Sequence, residues 1–422
     1  MAAVMLCGCG STDDPSGETA PAESSEVTEI TEETAAAEET TTKAPETEEE
    51  FHAAMINRSL LSKGNNYRMK KVIEKLKNGE KTTFAYLGGS ITEGVGASPV
   101  TCWAKLSFDG ICEMFGNTNS EYINAGLSGT PSVLGNIRAE RDILQYSPDV
   151  VFIEFAVNDA QDNTHKESYE SLIDTILKNH PDTAVILMFN RIENGYTCQQ
   201  HMSALGEYYS LPMISVNDAI TAEFDEGRMT WDDYSNDSSH PNEYGHSLLA
   251  EMVENLFSEV DKDDTDEPAN IPVMPQNGFS FVDMKLVTPD NPSDTENFTI
   301  TDIGGFTETN ATVSGGFSAA YANNGEGTPM KLHMNGNSFF IIYKRNNSAD
   351  MGSIDVSVNG EKVMTINAND PDGWGDPYAA QVIKFSKPKE MDIEISMTSD
   401  TVGSPFEIVG FGYSCNDTEI KF

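Results

Sequence analysis

The chain is short of positive charge. Its 422 residues carry 26 Lys and Arg against 68 Asp and Glu, a formal net charge of −42. That deficit argues against binding nucleic acid or an anionic membrane surface by electrostatics. Long apolar runs are missing too: none reaches the roughly 18 residues a membrane span needs. The six cysteines (Cys7, Cys9, Cys102, Cys112, Cys198 and Cys415) show no CxxC spacing. A structural zinc site is therefore not expected. Apolar side chains are nonetheless ample, at 38% with 20 Phe and 14 Tyr, and the length favours two folded domains.

Much of the acidity is local. Residues 13–50 hold 14 Asp and Glu against the single Lys43, among Ser, Thr, Ala and Pro. Such a stretch cannot bury enough surface to offset its ordering entropy, so 10–51 reads as a disordered acidic linker. Ahead of it, Leu6-Cys7-Gly8-Cys9 resembles the lipobox of bacterial lipoproteins. By that resemblance segment 1–9 is a signal remnant, Cys9 is the lipidated residue, and the protein is extracytoplasmic. No basic n-region precedes it, and the apolar stretch is short for such a signal.

From 52 to 260 short apolar runs alternate with helical periodicity. Asn65–Lys77 repeats Met69, Val72, Ile73 and Leu76 at helical spacing, and Trp103–Phe115, Tyr169–Asn179, His201–Tyr209 and Glu243–Phe257 also read as helices. Strands are expected at Phe84–Leu87, Glu121–Gly126, Val150–Phe155, Ala184–Phe189 and Pro212–Val216. This alternation predicts a parallel sheet covered on both faces.

Four stretches stand at strand ends or in the loops beyond: Gly88-Gly89-Ser90, Asn124-Ala125-Gly126, Ala156-Val157-Asn158-Asp159 and Asp237-Ser238-Ser239-His240-Pro241. A serine hydroxyl becomes a good nucleophile when a neighbouring imidazole takes its proton, and Asp237 lies close enough in sequence to orient His240. Taken singly, the stretches have plainer readings: a tight turn at Gly126, an Asx turn or cap at Asn158-Asp159. Together, in this order, they resemble the SGNH hydrolases, the GDSL-type lipase and acylhydrolase superfamily, over roughly residues 65–258. The resemblance implies a flavodoxin-like three-layer α/β domain. It makes Ser90 the nucleophile, His240 the base and Asp237 its orienting carboxylate. It builds the oxyanion hole from Ser90, Gly126 and Asn158. No metal or other cofactor is required. Gly89 stands where the family often has Asp, and Ala156 where it usually has Gly; neither change removes a catalytic group. Asn190 and Arg191, beyond the Ala184–Phe189 strand, are candidates for substrate contact or for plain rim residues.

Residues 261–276, acidic and bearing Pro268, Pro272 and Pro275, read as a linker. Beyond it, 277–422 holds short alternating segments between turns, among them Lys331–Met334, Ser338–Tyr343, Ala380–Phe385 and Met391–Ser396. An Asn359-Gly360 hairpin turn also falls there. The expectation is an all-β sandwich of jelly-roll type, resembling modules attached to carbohydrate esterases. Trp374 and Tyr378 share one loop; they either stack on sugar or pack on their own domain. The whole reads as a serine esterase removing O-acetyl groups from a polysaccharide such as xylan. The rivals are an SGNH acyltransferase, a lipase, or a non-catalytic carbohydrate-binding protein.

Overall fold

A computed structural model describes residues 47–292, 296–325, 327–401 and 403–416. Cys9, segment 1–9 and most of 10–51 lie outside the described residues. The end of that acidic stretch is helical: α1 spans Glu48–Arg58. Thr47 and Glu50 form a reciprocal capping box, and the three glutamates of the first turn suit a helix N-terminus. The first folded element therefore starts ahead of the expected boundary at 52, because a run of Glu after Thr is a helix start as well as a solvated tail.

Strands β1 (Leu60–Ser62), β2 (Thr82–Gly88), β3 (Ser120–Gly126), β4 (Val150–Glu154), β5 (Ala184–Phe189) and β6 (Met213–Ser215) form one sheet in the order β1-β6-β5-β4-β2-β3. β2 to β6 are parallel, and the short β1 runs antiparallel against β6. Helices α2 (Tyr67–Lys77), α3 (Ser90–Glu93), α4 (Trp103–Phe115), α5 (Ser132–Asp142), α6 (Asn163–Asn179), α7 (Gln199–Tyr208), α8 (Val216–Asp225), α9 (Trp231–Tyr234) and α10 (Glu243–Lys262) complete the domain. Among the described residues, no helix is long and apolar enough to cross a membrane. Successive residues of a strand face opposite sides. Phe84, Tyr86, Phe152 and Ile186 join α2, α4, α8 and α10 in one core, while Ala85, Leu87, Val151 and Leu187 join α6 and α7 in the other. This is the expected flavodoxin-like arrangement. The chain reverses direction of travel between β2 and β4, and in open α/β sheets that switch point is where ligands bind, beyond the strands' C-terminal ends.

The second domain is antiparallel throughout: β7 (Lys285–Val287), β8 (Phe298–Asp302), β9 (Thr307–Asn310), β10 (Ala319–Asn323), β11 (Met330–Asn346), β12 (Ser353–Val358), β13 (Glu361–Asn367), β14 (Trp374–Met397) and β15 (Phe406–Ser414). Their order is β13-β12-β14-β11-β15-β10-β9, with β7 added on β15 and β8 on β11. Two pairs of expected short strands prove to be the single long strands β11 and β14. The register passes from Gly336↔Lys389 to Ser338↔Lys384, so β14 bulges over residues 385–388. Pro388 sits in that bulge, where its missing N–H interrupts no ladder bond. The β12–β13 hairpin turns at Asn359 and Gly360, both at positive φ, as an Asn-Gly turn requires.

The two domains are packed together. Leu127 with Val133, Leu134 and Ile137 of α5 meets Phe281, Met284, Phe340, Ile342 and Val409 in one apolar cluster. Residues 261–276 are pinned rather than loose. Asn66 exchanges hydrogen bonds with Asp264 and Asp266, and Tyr208 donates to Met274 O at 2.6 Å. Two buried carboxylates of α6 hold the next stretch of chain, residues 276–280. Glu170 accepts from the Gln276 and Asn277 N–H groups at 2.6 Å each, and Glu167 accepts from Ser280 N–H and pairs with Lys384 of β14.

Two further carboxylates are buried where β4 ends. Glu154 is fully enclosed; Thr92 Oγ1 donates to its Oε2 at 3.0 Å, while Oε1 has no partner among the described residues. Burial raises its carboxyl to about 7, with Asn190 and Thr92 pulling the other way. Asp159 is raised to about 7 by the same cause, opposed by His165 and by the Ser132 N–H and O–H that it accepts. A carboxyl raised on folding contributes stability below its ordinary value near pH 4, and that stability is lost as pH climbs through about 7. Glu154→Gln, which keeps the shape without the charge, should therefore gain thermal stability over the parent as pH rises across that window. Melting midpoints of both proteins across the window test this; a difference independent of pH overturns it.

Candidate active site

β2 runs directly into the turn that carries Ser90. Neither Gly88 nor Gly89 has a left-handed φ, so conformational freedom is not what requires glycine here; space is. A Cβ on Gly88 would come within 2.2 Å of Thr92 Oγ1, and one on Gly89 within 2.3 Å of Asn158 Oδ1. Ser90 then opens α3, which stops at Gly94 with φ +106°. Trp103, buried in the core, donates its indole N–H to Ile91 O at 3.0 Å and fixes the short helix from below.

His240 reaches Ser90 from the loop ahead of α10. Its Nε2 lies 2.9 Å from Ser90 Oγ, and its Nδ1 lies 2.8 Å from Asp237 Oδ2. Asp237 Oδ1 accepts from the backbone N–H groups of Ser239 and His240 at 2.7 Å each. Partial burial pushes the Asp237 carboxyl up, but the bonds from the His240 ring and these N–H groups outweigh it, so it titrates below the usual range. The loop is itself held: Trp231 Nε1 donates to Asp237 O at 2.6 Å, and Ser235 Oγ contacts both Asp237 O and His240 O. His246, the other histidine nearby, is buried with Nδ1 accepting from Trp103 N–H and Nε2 on Val95 O, so it packs α10 against the turn.

Ser90, His240 and Asn158 border a cavity of about 380 Å³, together with Val157, Ile192 and Gly129. Trp374 forms another wall, so the second domain supplies part of this pocket. The indole packs on Gly129, with its nearest atom 3.3 Å from where a Cβ would stand, and remains half exposed. A larger cavity of about 840 Å³ lies against α1 and contains none of these groups.

Several expected contacts fall elsewhere. Gly126 is the last residue of β3, in register with Gly88, and its N–H donates to Asn124 Oδ1 at 2.8 Å. It borders a different cavity. Gly129, three residues on, lines the Ser90 pocket at φ +70°, and no partner for its N–H is found among the described residues. Sequence reading missed it by stopping at the strand end; the Ser128-Gly129 pair in the loop beyond was the available signal. Ser128 is anchored by Glu93, whose Oε2 accepts from its N–H at 2.7 Å and from its hydroxyl. Asn190 is completely buried beneath the site and Arg191 turns to Thr221 Oγ1 and the Phe224 ring, so neither faces the pocket; Ile192 does. Trp374 and Tyr378 part company as well. Tyr378 packs edge-on to Tyr343 under the Arg345 guanidinium, inside its own domain. Among the described residues no group of three or more His, Cys, Asp or Glu is arranged to hold a metal ion.

The arrangement equips a serine hydroxyl with a base, an oriented acid behind the base, and donors beside it. Residues 86–248 match the family model described as the GDSL-like lipase/acylhydrolase family. No curated protein sequence matches the chain. Among solved structures, a two-domain esterase active on acetylated mannans is 25% identical with a TM-score of 0.74, the match covering 86% of this chain and 99% of that one. The same esterase co-crystallised with mannopentaose matches with the same figures. Residues 86–248 thus form a GDSL-like lipase/acylhydrolase domain of the SGNH type, and the chain that carries it is a carboxylic ester hydrolase.

Proposed function

We propose that this hydrolase removes O-acetyl groups from a neutral polysaccharide through an acyl-enzyme on Ser90. The observation that carries the reading is the Asp237–His240–Ser90 hydrogen-bond chain opening into a pocket walled by Trp374. His240 Nε2 takes the Ser90 proton as Oγ attacks the ester carbonyl, and Asp237 holds the ring in the tautomer this needs. The developing oxyanion is met by the Ser90 and Gly129 N–H groups and the Asn158 amide; one such donor is worth about 3 kcal/mol. Gly129 takes the part that Gly126 was expected to play, since the Gly126 N–H is spent on Asn124. His240 gives its proton to the sugar oxygen as that oxygen leaves as a hydroxyl, and a water activated by the same imidazole then releases acetate.

The polymer is argued from the neighbour, which acts on acetylated mannans and shares both domains. Trp374 supports a sugar substrate because an exposed indole beside a nucleophile offers a flat apolar face to a pyranose ring. Mannan accordingly stands ahead of xylan. The Leu6–Cys9 sequence supports a lipid anchor at Cys9 on an extracytoplasmic enzyme. Labelled palmitate should enter the full chain and not Cys9→Ala; equal labelling of the two removes the anchor.

The deciding experiment is acetate release from acetylated mannan and xylan, beside p-nitrophenyl esters from acetyl to octanoyl, for wild type and Ser90→Ala. Cleavage of polymer and acetyl ester, poor cleavage of octanoyl, and a loss of about a thousandfold or more in Ser90→Ala are expected. A preference for octanoyl would make the enzyme a lipase, and an active Ser90→Ala would remove the mechanism. Trp374→Ala should raise KM for acetylated mannan roughly 5–10-fold with little change on p-nitrophenyl acetate. Equal losses on both would make the indole a structural residue only.

A further inference from the structure

The loop after β3 separates two cavities. Ser128 and Gly129 face the Ser90 pocket, whereas Gly126 and Leu127 border a second cavity of about 500 Å³, within the size range of small-molecule sites. Glu93 joins them: it lines the second cavity while its carboxylate holds Ser128 on the side of the first. The second domain borders both. Gly315 and Gly316 reach Leu127 so closely that a Cβ on Gly316 would lie 2.7 Å from its Cδ2, and Phe317 stacks on Arg141 at 5.0 Å. Ser314 N–H donates to Gly375 O at 2.8 Å, which ties this rim to the residue after Trp374.

The lining of the second cavity narrows what it can hold. Arg138 is buried, with Nη1 donating to Ala125 O and Asp142 and Nη2 to Gly88 O. Arg141 also pairs with Asp142, its Nε 2.5 Å from Oδ1. Two guanidiniums facing Asp142 and Glu93 leave no surplus charge to recruit an anion, and the predominantly polar walls do not suit an apolar guest. The walls also carry the side-chain amides of Asn124 and Gln145 beside the ring of Tyr146, which is 54% exposed. That combination suits a neutral, hydroxyl-rich ring. Resting on the acetyl-polysaccharide reading above, we propose that this cavity binds a further sugar unit of the same polymer whose acetylated unit lies over Ser90.

The test is chain-length dependence. Wild type and Tyr146→Ala are compared on acetylated mono-, di-, tetra- and hexasaccharides of the mannan series and on p-nitrophenyl acetate. Loss of about 5–10-fold in kcat/KM on the longer sugars, with the monosaccharide and the p-nitrophenyl ester unchanged, is the expected pattern. A loss of the same size at every length would mark Tyr146 as structural, and no loss at any length would leave the cavity outside substrate binding; either overturns the proposal. Calorimetric titration of unacetylated mannohexaose and xylohexaose, which needs no turnover, separates this from the function itself. Binding by wild type that weakens at least fivefold in Tyr146→Ala upholds the subsite even if no acetylated polymer is cleaved. Binding unaffected by the substitution, or no binding of either sugar, overturns it.

Discussion

Everything at this site depends on how closely bare backbone approaches its neighbours where β2, β3 and β4 end. A Cβ on Gly88 or Gly89 would meet Thr92 or Asn158 at just over 2 Å, and one on Gly126 would lie 2.0 Å from the Glu93 nitrogen. A methyl group at any of the three would push apart the nucleophile turn, the Asn158 loop and the loop carrying Gly129. Catalysis by preorganised donors tolerates little such displacement, since the donors act only if they already point where charge will develop. The close approach is a property of the parallel sheet: β2 is flanked by β3 and β4, so the loops leaving all three emerge side by side.

The antiparallel domain packs on the first and borders the Ser90 pocket through Trp374. α5 lies between the sheet of the first domain and the face of the second, which explains its composition. It buries Ser132 and Arg138, which bond Asp159 and the ends of β2 and β3, along with Val133, Leu134 and Ile137, which meet Phe340 and Val409, while Asn136 donates to Phe281 O on the second-domain side. Glu167 and Glu170 of α6 act at the same boundary by accepting the N–H groups of the segment entering the second domain. A buried carboxylate with several donors holds a segment in one place, since withdrawing any donor leaves charge unpaired in a low-dielectric setting. Trp374 can stand beside Ser90 because these contacts fix the domain that presents it.

Much of this was legible in the residues and some was not, for physical reasons. The five parallel strands and the Ser90, Asp237 and His240 chain could be read because each is local: apolar runs of strand length, and an acid three residues from a base. α5 escaped because burial on two sides breaks the amphipathic period that marks a helix. The long strands β11 and β14 resemble pairs of short ones in sequence, since Gly336 and Pro388 look like ends, whereas Gly336 is still paired with Lys389 and Pro388 sits in a bulge. The Gly126 N–H donates to Asn124, and the glycine that lines the Ser90 pocket stands three residues further on. Whether a backbone N–H is free depends on which side chain has already taken it, and nothing in Asn124-Ala125-Gly126 announces that Asn124 folds back on its own strand. The residues alone leave Asn190 and Arg191 open between substrate contact and plain rim residues, and Tyr378 between sugar stacking and packing on its own domain. Packing decides direction, burying Asn190, turning Arg191 to Thr221 and setting Tyr378 against Tyr343.

The charge deficit acquires a sharper meaning once the site is in view. With 68 carboxylates against 26 cationic side chains, the protein carries a field that repels polyanions at ordinary ionic strength. The cations near the strand ends do not relieve it: Arg138 and Arg141, which border the second cavity, are paired with Asp142, and Arg191 is turned away toward Thr221. A polymer rich in uronate or sulfate would meet that repulsion along its whole length, whereas a neutral glycan would not. Acetylation keeps such a glycan uncharged, and each ester removed creates a hydroxyl on the polymer while the new negative charge leaves on acetate. On the proposed reading, acetate as the small anionic product would be repelled by the same field, which leaves a neutral polymer undisturbed.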